Sequence, residues 1–211
     1  MAGYRRPDSF TRAAKARGFP ARSVFKLEDM DRRLRLLRPG QRVLDLGAAP
    51  GSWSLYATTR IGPSGRLLAV DLQPLAQALP PNAEFVQADA GGLSLEALSR
   101  YAPYDVVLSD MAPNTSGDRS ADQARSFRLV SLALDVAEAL LASGGAFVAK
   151  IFMGPDFEAA RRRLRALFAQ ERVMRPEGVR SSSFEAFLVG TGRKAAPPPA
   201  PPAPAAPPGP A

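Results

Sequence analysis

Residues 42 to 53 read Arg42-Val-Leu-Asp-Leu-Gly-Ala-Ala-Pro-Gly-Ser-Trp53. Val43, Leu44 and Leu46 predict a buried strand of a parallel sheet, ending in a turn where Gly47 and Gly51 let the main chain pass close to a ligand. A helix is expected from about Ser52. The glycine spacing is neither the G-x-G-x-x-G of a dinucleotide site nor the G-x-x-x-x-G-K-[ST] of a triphosphate loop. The turn carries an acid, Asp45, and a proline, Pro50. Such a site repels a pyrophosphate and suits a ligand with a cationic centre and an amino-acid end, as S-adenosylmethionine has. The plainer alternative is an ordinary strand-to-helix turn of an α/β protein.

Outward from this stretch, strands and helices alternate. Strands are predicted near 42–46, 67–71, 84–87, 104–109 and 145–151, with helices near 52–60, 94–100, 122–142 and 156–169. Repeated β-α units imply a doubly wound parallel sheet with its ligand beyond the strands' carboxyl ends. Two further strand runs, 171–175 and 184–190, have no helix between them and are expected to close the sheet as an antiparallel pair. Upstream, Val24, Leu27, Met30, Leu34 and Leu37 fall at helical spacing, so a helix capped by Ser23 is expected to run to about Leu37 and stop at Pro39-Gly40.

Three regions follow: a basic arm (1–21), one α/β domain (22–194) and a tail (195–211) built from Ala, Pro and one Gly, which is expected to be disordered. The net charge of +8 resides entirely in residues 1–42, where 12 Lys or Arg face four acids; the other 169 residues carry 16 of each sign. A balanced domain with a basic N-terminal segment suits a phosphate backbone, with Phe10 and Phe19 available for packing or stacking. An Arg-rich start is also what a transit peptide looks like. Cys and His are absent, which excludes disulfides, thiolate metal sites, cysteine nucleophiles and a histidine base. No apolar run approaches a membrane span and the start lacks the apolar core of a secretory signal, so a cytoplasmic protein with no membrane partner is expected.

Asp71 ends the second strand 24 residues after Gly47, near the spacing at which a Rossmann-type acid meets ribose hydroxyls. Asp89 ends the third, where it could accept a hydrogen bond from an adenine amino group. Either acid alone is weak evidence, because Asp commonly opens a loop. Asp110 ends the fourth strand and Lys150 the fifth. The chain has 24 arginines and four lysines, so a lysine inside an apolar strand suggests a need for an amine that can lose its proton. Lys26, between Phe25 and Leu27, and Glu185, inside the last apolar strand, are similarly placed. Taken singly, each could be a snorkelling or salt-bridged side chain.

The turn Asp45-Leu-Gly-Ala-Ala-Pro-Gly51-Ser-Trp53, the strand end Ser109-Asp110-Met-Ala-Pro-Asn114, the run Val148-Ala-Lys150 and the late Glu185 resemble the FtsJ/RrmJ family of ribose 2′-O-methyltransferases over roughly residues 4–194. With Lys26, in Arg22-Ser-Val-Phe-Lys26-Leu, they match that family's Lys-Asp-Lys-Glu tetrad in order. The resemblance implies a Rossmann-like methyltransferase fold, a seven-stranded mostly parallel sheet with helices on both faces, S-adenosylmethionine as donor and an RNA ribose as acceptor. Size, basic arm and the ending Gly190-Thr-Gly-Arg-Lys194 look most like bacterial members, which methylate a uridine of 23S ribosomal RNA in the large subunit. By position, Gly51, Trp53, Asp71, Asp89 and Asp110 would contact the cofactor; Lys26, Asp110, Lys150 and Glu185 would be catalytic, with Lys150 the proton acceptor; a monomer without metal is expected. Ser52 stands where the family usually has glycine, and serine suits a helix start. Competing readings are a nicotinamide-dependent oxidoreductase, which needs the missing glycine spacing, a non-enzymatic RNA-binding assembly factor, and a methyltransferase acting on transfer RNA or another RNA. A charged Lys150 that only orients the hydroxyl is the alternative to a base.

Overall fold

The computed structural model describes residues 9–177 and 183–195. Residues 1–8 of the basic arm and 196–211 of the tail lie outside them. Thirteen elements follow along the described chain: α1 (Ser9–Ala16), α2 (Val24–Leu34), β1 (Arg42–Leu46), α3 (Ser52–Ile61), β2 (Arg66–Asp71), β3 (Ala83–Gln87), α4 (Leu95–Leu98), β4 (Tyr104–Ser109), α5 (Arg119–Leu140), β5 (Leu141–Phe152), α6 (Phe157–Leu167), β6 (Phe168–Met174) and β7 (Glu185–Arg193).

The strands form one seven-stranded sheet in the order β3-β2-β1-β4-β5-β7-β6. β1 to β5 pair in parallel, and β7 inserts antiparallel between β5 and β6. The expected closing pair is therefore present, with the last strand taking the inner position. Strand alternation divides the buried side chains between two cores. Leu44, Leu46, Val107, Phe147 and Leu188 face α4, α5 and α6, while Val43, Val106, Leu108, Val148 and Phe187 face α2 and α3. Each fully buried Leu or Val contributes roughly 1.5–3 kcal/mol relative to exposure.

Upstream of β1 one helix is added and two expectations are corrected. The arm is helical over α1, which packs its Phe10 edge-on against Phe25 of α2 at 5.5 Å between ring centres. Arg17 beyond it forms a forked pair with Glu28 at 2.8 and 2.9 Å. Helix α2 stops at Leu34 rather than Leu37, because Arg35 turns into the left-handed region (φ 53°) and donates its N–H to Asp31 O. Ser23 precedes α2 without a side-chain cap. Ser52 opens α3 but does not cap it; its Oγ accepts from Ala21 N at 2.8 Å and donates to Ala21 O at 3.1 Å, tying the end of the arm to the first β-α unit.

Candidate active site

Strand order reverses between β1 and β4, and the crevice beyond their carboxyl ends is where ligands of such sheets sit. A cleft of about 450 Å³ opens there. Gly47, Ala49 and Pro50 of the β1–α3 turn form one side, Asp71 and Asp89 the far end, and Asp110, Met111 and Lys150 the near end. Gly47 has φ 78°, and a Cβ on it would come within 2.7 Å of Met111 N. The turn and the strand end after β4 can lie this close only without a side chain at that position.

The acids at the far end are pre-oriented by main-chain donors. Asp71 accepts from Ala49 N through Oδ2 at 2.9 Å and from Gln73 N through Oδ1 at 2.8 Å. Asp89 accepts from Gly91 N at 2.9 Å. Asp45, the acid that drew attention in the sequence, does not line the cleft. It is wholly buried beneath the turn, with Oδ2 accepting from Ser54 Oγ at 2.6 Å and Oδ1 without a hydrogen-bond partner. Burial pushes its carboxyl up to about 7, against the Ser54 bond and with help from the charges of Asp110 and Asp71.

At the near end two ion pairs stand on the same face of the sheet. Lys150 Nζ donates to the Asp110 main-chain carbonyl at 2.5 Å and lies 2.9 Å from Oδ1 of the same residue. That second contact lacks hydrogen-bond alignment, so Asp110 Oδ1 remains a buried acceptor without a directed donor. Lys26 Nζ reaches Glu185 Oε1 at 2.5 Å across 159 residues of sequence. Register joins the pairs: Lys150 is opposite Phe187 and Phe152 opposite Glu185, while Lys26 Nζ stands 5.6 Å over the Phe187 ring. All four side chains are mostly buried, and their charges sum to zero.

Asp110 and Lys150 line the cleft with Asp71 and Asp89 across it, while the Lys26–Glu185 pair adjoins them through the β5–β7 register without lining the cleft itself. Gly51 and Trp53 stand behind it instead. Gly51 takes φ 111° at the start of α3. Trp53 is 2 % exposed, packs on Phe187 and donates Nε1–H to Ser23 O at 2.9 Å. Its large apolar ring gains more from the core than from the cleft, and through Ser23, which does line the cleft, it shapes the wall. Met111, Ser23 and Leu129 were not anticipated as lining residues. Met111 was findable as the neighbour of a strand-end acid; Ser23 and Leu129 arrive through tertiary packing and carry no local signal.

Without the dinucleotide glycine pattern the dehydrogenase reading of this sheet falls away, and what the fold and cleft define is a Rossmann-like methyltransferase. The model of the FtsJ-like methyltransferases matches residues 19–193, and the chain belongs to that family. It is 67 % identical over 193 residues to the ribosomal RNA large subunit methyltransferase E of Sorangium cellulosum strain So ce56, covering 92 % of this chain and 91 % of that one. To the protein of the same name from Oleidesulfovibrio alaskensis it is 50 % identical over 200 residues, covering 93 % and 96 %. Two solved structures share the fold. A Plasmodium falciparum protein provisionally described as a ribosomal RNA methyltransferase superposes with TM-score 0.69 at 23 % identity, over 82 % of this chain and 97 % of that one. Aeropyrum pernix fibrillarin, in complex with S-adenosyl-L-methionine, gives 0.53 at 16 % identity, over 74 % and 68 %.

Proposed function

We propose that this methyltransferase transfers a methyl group from S-adenosylmethionine to the 2′-hydroxyl of a ribose, a uridine, in 23S ribosomal RNA of the large subunit. The observation that carries the proposal is the pairing of Lys150 with Asp110 and of Lys26 with Glu185 on one face, beside the acid-edged cleft. Named relatives at 67 % and 50 % identity support the choice of RNA.

The cleft residues fit this donor. Asp71 and Asp89 offer oriented carboxylates to ribose hydroxyls and an adenine amino group, and Asp110 lines the same cleft beside Lys150. The bound donor supplies an electrophilic methyl on a sulfonium. The chain's own groups then place and deprotonate the acceptor. Lys150 accepts the 2′-hydroxyl proton at Nζ as the oxygen forms its bond to carbon, a role it can fill only when neutral. Its two contacts with Asp110 fix the direction from which it meets that hydroxyl. Lys26 and Glu185 hold the acceptor ribose in line, and alignment of this kind contributes as much as the proton transfer.

The basic arm and α2 hold the RNA backbone in this reading, and the enzyme acts as a cytoplasmic monomer. Among the described residues, the exposed large apolar side chains Phe10, Leu95 and Val173 sit on separate elements and Leu72 in the loop after β2, and no helix is long and apolar enough to cross a membrane. The decisive experiment incubates the protein with labelled S-adenosylmethionine and 23S RNA, large subunits or transfer RNA lacking the modification, then maps ribose methylation. Label at a 23S uridine 2′-oxygen is expected. Label confined to transfer RNA, or none in any RNA, would overturn the assignment.

A further inference from the structure

A second cleft, of about 500 Å³, lies at the opposite end of the sheet from the active site. Its floor is three strands in register, Ala146 of β5 opposite Thr191 of β7 and Thr191 opposite Gln170 of β6. One wall is the end of α2 and the segment after it, with Arg33, Arg35 and Arg38; Arg172 of β6 is on the other side. The acid in this lining, Asp105, already accepts from Arg42 N at 2.7 Å. Arg33 is held by Asp29 at 2.8 Å. Arg35, Arg38 and Arg172 have no carboxylate partner among the described residues; Arg172 donates to Gln170 Oε1 at 3.5 Å.

Gathering three uncompensated guanidiniums around one polar cleft is unfavourable unless an anion joins them, and the guanidinium fork matches phosphate oxygens in pairs. Arg35 strengthens the case. It holds a left-handed backbone where helix ends ordinarily use glycine, so a side chain is kept at a position where its absence would be easier.

We propose that this cleft is a second RNA-contact site, which takes backbone phosphates of the same RNA whose ribose enters the active site. The proposal rests on the RNA-methylating reading above and extends it to a surface that the chemistry does not touch. Helix α2 links the two: Lys26 stands at the ion pairs and Arg35 at the cleft, nine residues on, or about 14 Å along the axis. Arg32, 63 % exposed at the side chain, lies between them. Nine residues are about two and a half turns, so an RNA chain that reaches both must pass round the side of α2 rather than along a single face.

The test compares wild type with the variant Arg35→Gly/Arg38→Gln/Arg172→Gln for binding to a 23S RNA fragment across salt concentrations, and for methyl transfer. Loss of three phosphate contacts is expected to lower the log–log salt slope by about two and to raise Kd on the order of tenfold. KM for RNA is expected to rise with kcat unchanged, because no reacting atom is touched. Arg35→Gly alone is expected to melt no lower than wild type while still weakening RNA binding, which separates the cleft's role from folding. Unchanged affinity and slope in the triple variant, with wild-type methylation intact, would overturn this site and leave the methyltransferase reading standing. Wild type that neither binds nor methylates the RNA would overturn both. Loss confined to assembled subunits, with naked RNA bound as before, would mean a ribosomal protein occupies the cleft and would overturn the RNA proposal.

Discussion

Lys150 is held by two contacts to one residue, so removing its amine leaves Asp71, Asp89 and the Gly47 turn where they are. Lys150→Ala is expected to bind S-adenosylmethionine normally by calorimetry while methyl transfer falls by about 10² to 10⁴, the usual contribution of a positioned base. Substantial residual transfer would favour a purely orienting lysine. Asp45 makes a different prediction, about pH. Its buried carboxyl titrates near 7 in the folded protein and near about 3.9 in an unfolded chain, so the native state holds the extra proton between those values. Its contribution to stability is therefore fully present below about pH 4 and is lost as pH rises to 7, by a few kcal/mol in all. Asp45→Asn is expected to flatten the decline in urea midpoint between pH 4.5 and 7.5; an unchanged slope would show that the group titrates elsewhere. From sequence, Asp45 and Asp71 look alike as strand-end acids. What separates them is whether main-chain N–H groups or a buried serine surround the carboxylate, and only the assembled turn decides that.

Elements built from long apolar runs were legible, and elements decided by one residue were not. Strands β1, β2 and β4 announce themselves because both faces are buried and Val and Leu crowd them. The apolar pattern overstates the length of α2 because Leu36 and Leu37, both buried, prolong it after Arg35 has left the helix. Helix α1 leaves no clear sequence signal because it buries little beyond Ala14 and its length falls below what is stable alone in water. Its docking through Phe10, Arg17 and Glu28 is largely solvent-exposed, so the forked pair contributes little. Amides of α1 are expected to exchange hydrogen faster than those of α3 in native conditions; equal protection would show a firmer attachment. At the β1–α3 turn the tolerance is far smaller. Gly47→Ala must accommodate both a positive φ and a Cβ within 2.7 Å of Met111 N, and is expected to cost about 1–3 kcal/mol or more by denaturant titration and to weaken cofactor binding together with it.

Across the whole molecule, charge and sheet divide the work. All of the net charge falls in residues 1–42, which place α1, α2 and their arginines on one side of a domain that is otherwise neutral. RNA affinity is expected to fall steeply with salt, and Arg12→Glu/Arg17→Glu to weaken it and flatten the dependence, as read by filter binding at several ionic strengths. Unchanged binding would remove the arm from the RNA path. The sequence located the tetrad by resemblance, but its closeness is a matter of topology: Lys26 meets Glu185 because β7 returns beside β5. That return has a consequence in time. A chain leaving the ribosome from its N-terminus exposes one edge of β5, and leaves β6 unpaired, until β7 has emerged to fill the gap between them. Glu185 comes out with that strand, so Lys26 is without its carboxylate partner until after β1 to β5 and the basic helices have been made.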